Sequence, residues 1–171
     1  GALAGIFAAT GQTCIAGSRL LVQRSVYDHV VQNLAERAKT IRMGNPLEKL
    51  TEMGPAANLP QLNRILDLIE VAKNEGAELV AGGVRGDAAE LESGYFVEPT
   101  IFSNVKNSMK IAQTEVFGPV LSVIPFDDEA EALSIANDSN FGLAAGIWTT
   151  NINRAMRISS AINAGTVWVN T

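Results

Sequence analysis

Short apolar runs alternate along this chain with longer amphipathic stretches, and that alternation constrains the fold more than any other feature. Residues 18–23 form an apolar run fit for a buried strand, and residues 77–81, 120–126, 143–149 and 166–170 repeat the pattern. Between them the apolar residues recur at helical spacing. Val26, Val30, Leu34, Ala38 and Ile41 mark a helix capped by Ser25 and stopped by Gly44 and Pro46. Leu62, Ile65, Leu66, Ile69 and Ala72 mark a second, starting near Pro60 and ended by Gly76. A third follows a cap at Asp127 or Asp128, with Ala130, Leu133 and Ala136 inward. A fourth spans residues 151–163, with Ile152, Ala155, Met156 and Ile162 on one face and Gly165 at its end. Strands separated by amphipathic helices pair in parallel through right-handed crossovers. The expected fold class is therefore α/β, a mostly parallel sheet flanked by helices, in a single domain over residues 1–171.

Three stretches fit the pattern less well. The opening run GALAGIFAAT is too short for a membrane span and lacks the basic start of a signal peptide, so it reads as a buried helix. Residues 82–94 are rich in Gly and acid and read as a surface excursion. Residues 95–102 are extended but carry Pro99, which suggests an edge or irregular strand.

Composition narrows the function. The basic residues are scattered and the net charge is -5, which argues against nucleic acid as a partner. No apolar run is long enough to span a membrane. Cys14 and His29 are the only residues of their kinds, so a His/Cys metal cluster is not expected. A single Cys forms no internal disulfide, so the expected compartment is reducing and cytoplasmic. The sequon Asn137-Asp138-Ser139 and the tripeptide Arg85-Gly86-Asp87 are short patterns that read as ordinary surface loop.

A lone Cys is as often packing as chemistry. Cys14, however, stands in GQTCIAGSR among small residues that let a substrate approach the backbone. Its N–H could face a developing oxyanion, and Arg19 could favour the thiolate. His29 lies beside Asp28 in the first long helix and reads as a surface residue rather than a base for Cys14. A second cluster is Glu115-Val116-Phe117-Gly118-Pro119. Its carboxylate could accept from a ribose diol and its aromatic edge could flank a flat ring, although on its own it also reads as a turn.

Taken together, these residues resemble the aldehyde dehydrogenase superfamily. Phe7, Gly11, Gln12, Cys14, Ala16, Ser18 and Arg19 match its cysteine signature, and residues 115–119 resemble its second signature. Gly44-Asn45-Pro46 with Met53-Gly54-Pro55, then Phe141-Gly142-Leu143-Ala144-Ala145, then residues 165–170 match in the expected order. The resemblance covers essentially the whole chain. It implies oxidation of a small-molecule aldehyde to a carboxylic acid with NAD or NADP. Cys14 would attack the aldehyde to give a thiohemiacetal, hydride would pass to the nicotinamide, and water would hydrolyse the thioester.

By the same resemblance, the Cys14 N–H would form half of the oxyanion hole and Glu115 would hold the nicotinamide ribose. Phe117 would flank that end of the cofactor, Gln61 would contact the adenosine ribose, and Thr13 and Ile15 would touch the substrate. The family places a Rossmann domain, a general-base Glu and an oxyanion-hole Asn before the cysteine, and a strand used in oligomerisation after this region. None of these is in the sequence. The expectation is a catalytic-domain segment of a longer, homo-oligomeric parent, inactive when isolated. Two alternatives stay open: a CoA-acylating relative, and a non-catalytic α/β binding or assembly module. A cofactor-free thiol hydrolase is weaker, because no His is placed to serve Cys14.

Overall fold

The computed structural model describes residues 1–86, 91 and 94–171. Its α/β architecture rests on a four-stranded sheet. The strands are β1 (Arg19–Gln23), β2 (Glu78–Ala81), β3 (Thr100–Ser103) and β4 (Val120–Phe126), in the order β1-β4-β3-β2. β4 pairs in parallel with both β1 and β3, and only β2 runs antiparallel. The helices are α1 (Ala2–Phe7), α2 (Tyr27–Ala38), α3 (Leu59–Asn74), α4 (Lys110–Gln113), α5 (Glu129–Asn137) and α6 (Ile152–Ala161).

The alternating pleat of β3 and β4 feeds two cores. Val120, Ile124 and Phe102 face one way, onto Leu62, Ile65, Ile69 and Ala72 of α3 and Ile111 of α4. Leu121, Val123 and Ile101 face the other way, onto Tyr27, Leu34, Ala35 and Ala38 of α2 and Ile6 and Phe7 of α1. The sheet is thus sandwiched between helical layers, as the period-two pattern of a doubly covered strand requires. Each fully buried Leu, Ile or Phe here contributes about 1.5–3 kcal/mol. Residues 120–126 form one strand, as their apolar run predicts.

The remaining strands, β5 (Ala144–Ile147) and β6 (Thr166–Val169), form a separate two-stranded parallel sheet connected through α6. That ribbon covers little of its helix. Only Ala155 of α6 is buried, whereas Ile152 is 71% and Met156 62% exposed. The expected inward face of this helix is therefore turned outward for those two residues. Phe141, Leu143 and Trp148 add to the exposed apolar surface.

Several boundaries differ from the sequence expectation for local reasons. Ser25 does not cap α2; it lies in a 3-10 turn over Arg24–Val26, and Val26, half exposed, precedes the helix without a side-chain cap. α2 stops at Ala38, well before Gly44, where Thr40 and Ile41 tighten onto Arg37 and Ala38. Within α5, capped by Asp128, Ala130 is exposed and Ile135 packs on the core. Leu68 joins the buried face of α3, while Leu66 is only half buried. Gly76 does end α3, at φ 89°. Gly165 does not end α6; the extended Ile162 does. Pro99 immediately precedes β3, an interior strand, so its missing N–H removes no ladder bond. α1 is only partly buried, through Ile6 and Phe7. Asp87 and much of the expected 82–94 excursion lie outside the described residues.

Candidate functional site

The approach to Cys14 is an unusual piece of backbone. Ala9, Thr10 and Gly11 follow one another at φ 50°, 59° and 66°. L-residues visit this left-handed region singly and at a cost, so a run of three persists only when its surroundings fix it. The fixing contacts come from one segment. The buried Thr10 hydroxyl donates to the Gly54 carbonyl at 3.0 Å. The Gln12 amide donates to the Pro55 carbonyl at 3.3 Å and accepts from the Ala57 N–H at 2.9 Å. After this turn the Ala16 N–H bonds the Thr13 carbonyl at 3.0 Å, making a tight turn with Cys14 and Ile15 at its tip. Thr13, Cys14 and Ile15 are all exposed. Among the described residues no acceptor takes the Cys14 N–H and no side chain bonds its thiol.

The second motif meets the first through glycine. A Cβ at Gly11 would overlap the carbonyl of Gly118, so the two backbones touch where a side chain would forbid it. Val116 is buried, Glu115 is exposed and Phe117 is 37% exposed at φ 55°. From α3, the Gln61 amide donates to the Val116 and Phe117 carbonyls, each at 2.9 Å, and Arg64 donates to the Glu115 carbonyl at 2.9 Å. Asn58 sets the phase of α3 by accepting from the Gln61 N–H at 2.9 Å. Asn58-Leu59-Pro60-Gln61 is a capping signature with Pro near the start, so this signal was present in the sequence and passed over.

The other candidates lie elsewhere. Arg19 is half buried, and its guanidinium donates to Asn107 Oδ1 at 2.7 Å and to the Ile135 and Ala136 carbonyls at 3.0 Å. It closes the C-terminal end of α5 instead of serving the Cys14 thiol, an arrangement that suits a cation at a helix C-terminus. Burial lowers its pKa, partly offset by Asp138. His29 is exposed on α2 and its ring nitrogen bonds the Asn33 amide at 3.0 Å. Sequence reading missed Thr10, Asn58 and Arg64, whose roles depend on partners more than forty residues away or on a cap.

The aldehyde dehydrogenase family profile matches residues 1–171. The betaine aldehyde dehydrogenase of Brucella anthropi is 46% identical over 170 residues, 99% of this chain and 35% of the relative. An aldehyde dehydrogenase of Emericella nidulans is 47% identical over 166 residues, 97% of this chain and 33% of the relative. The solved betaine aldehyde dehydrogenase of Staphylococcus aureus in complex with NAD+ superposes with a TM-score of 0.98 at 45% identity, covering 99% of this chain and 34% of that one. The chain thus spans about a third of the length of the relatives it matches. By profile, by sequence and by fold, the chain belongs to the aldehyde dehydrogenase family.

Proposed function

We propose that these residues carry the nucleophile and the nicotinamide-end contacts of an NAD(P)-dependent enzyme that oxidises an aldehyde to a carboxylic acid. The observation that carries this reading is the backbone contact of Gly11 with Gly118, which joins the Cys14 turn to the Glu115–Phe117 turn. A thiol at the exposed tip of a turn can reach a carbonyl carbon without rearrangement, and the Cys14 N–H is left to receive the oxygen. Attack gives a thiohemiacetal on Cys14; loss of hydride gives a thioester, which water opens to the acid. Thr13 and Ile15 flank the thiol on the exposed side and would touch the aldehyde.

The residues present suit the cofactor expected. Glu115 offers two exposed acceptor oxygens, the complement of a ribose diol, and Phe117 presents an aromatic edge two residues on. When bound, the nicotinamide supplies the hydride acceptor. Gln61 retains only its Oε1 for the adenosine ribose, since its Nε2 is engaged with Val116 and Phe117.

Among the described residues no side chain bonds the Cys14 thiol, and His29 is engaged with Asn33 on α2. We therefore assign turnover to a longer, homo-oligomeric protein and expect none from residues 1–171 alone. The test is steady-state oxidation of an aldehyde panel with NAD and NADP, using the longer protein and its Cys14→Ala variant. Turnover that survives in Cys14→Ala overturns the reading.

A further inference from the structure

Residues 54–64 touch both halves of the site. At one end Gly54, Pro55 and Ala57 bond Thr10 and Gln12, the residues that hold the left-handed run before Cys14. At the other end Gln61 and Arg64 bond the carbonyls of Glu115, Val116 and Phe117. Between them, Asn58 locks the first turn of α3 by accepting from Gln61 N–H. One turn later Ile65, fully buried, stands where a Cβ on Gly118 would lie 2.5 Å from its Cδ1.

We propose that residues 54–64 act as a common keel setting the Cys14 turn and the Glu115–Phe117 turn to each other. Gln61 and Arg64 are then positioning residues that act through Glu115 and Phe117. This rests on the functional reading above. Phe117 sits at φ 55°, a conformation a non-glycine residue keeps only when held. The two donors on its own and the preceding carbonyl are the means of holding it. The chemistry of the bond separates this role from contact with the adenosine ribose. Positioning needs the Nε2 donor, whereas a ribose diol is served at least as well by an acceptor.

The deciding variant is Gln61→Glu in the full-length enzyme, which keeps the shape and removes the donor. The expected result is a KM for NAD+ raised about tenfold. The inhibition constant of 5′-AMP, which probes the adenosine end alone, and the rate of Cys14 alkylation by iodoacetamide should stay at wild-type values. Arg64→Met should raise the KM for NAD+ in the same direction, and Arg64→Lys, which can still donate to Glu115, should restore it. The Arg64 pair gives the same reading should Gln61→Glu not fold. An unchanged KM in both Gln61→Glu and Arg64→Met overturns the proposal, and so does a 5′-AMP constant that moves in step with the KM for NAD+. Failure of the aldehyde reading shows separately, as turnover in Cys14→Ala.

Discussion

The backbone of Gly11 lies directly against the carbonyl of Gly118, with no room for a side chain between them. Gly11 is also left-handed, at φ 66°. Gly11→Ala therefore meets both backbone strain and overlap with a rigid carbonyl, and should cost at least roughly 2 kcal/mol. Gly118→Ala has no left-handed φ and meets side-chain rather than backbone atoms, Cδ1 and Cγ1 of the buried Ile65 at 2.5 and 2.6 Å, so it should cost less, about 1–2 kcal/mol. Denaturant midpoints of the two variants should rank Gly11→Ala as the more damaging.

Cys14→Ala should lower aldehyde oxidation by at least roughly a thousandfold, because the proposed covalent bond is made by its thiol. As the only cysteine of residues 1–171, and an exposed one, Cys14 should be alkylated to completion by iodoacetamide in the native protein, read by mass spectrometry of the peptide that carries it. Sub-stoichiometric labelling of native protein would contradict the exposed turn.

Glu115→Gln keeps the size of the side chain but replaces one acceptor oxygen with a donor. The ribose diol proposed to bind there would then lose a charge-assisted bond, and the KM for NAD(P) should rise about tenfold. Because the Glu115 contact to Arg64 is made by its backbone carbonyl, the loop itself should be unaffected. Matching thermal midpoints of variant and wild type, alongside the kinetics, check this point.

Much of this was legible in the sequence, and what was not has a common cause. β4 follows from residues 120–126, because a strand covered on both faces must be a continuous apolar run. α3 follows from Pro60, its apolar stripe and Gly76. The two motifs are legible as motifs, yet their meeting at Gly11 and Gly118 is not, since no local pattern reports contacts across the fold. Arg19 was misread for the same reason. Its partners Asn107, Ile135 and Ala136 lie far along the chain, and proximity in sequence to Cys14 suggested the wrong one. The outward face of α6 was misread because helical periodicity shows that a stripe exists, not that something covers it.

Tyr27 provides a pH-dependent test of the helical layer on the α2 side. Its buried hydroxyl donates to the Val123 carbonyl at 3.1 Å and accepts from the Asn104 N–H at 2.7 Å. Burial, the largest cause, raises the phenol above its ordinary value of 10.0, opposed by the Asn104 hydrogen bond. The folded protein thus holds the proton more tightly than the unfolded chain. The associated stability is fully present below about pH 10 and is lost as pH rises through the folded pKa. Denaturant unfolding from pH 8 to pH 11.5 (roughly the span that brackets a tyrosine titration) should show this loss in the wild type. Tyr27→Phe should be less stable by about 1–3 kcal/mol at neutral pH and should lack that alkaline component.

β1 is the strand that leads away from Cys14, and among the described residues its ladder partner is β4. The two strands are far apart in the chain: the flanking pair Arg24 and Asp127 is separated by 103 residues. Closing so long a loop is slow and entropically costly, so this pairing cannot lead the folding of the sheet. Gly118, on which Gly11 rests, comes equally late. Cys14 leaves the ribosome about a hundred residues before Gly118, so its turn stays incomplete until residues beyond 118 have emerged. A nascent chain arrested before β4 would carry Cys14 without the Gly118 contact of its turn, which makes the final geometry of that turn a late product of synthesis.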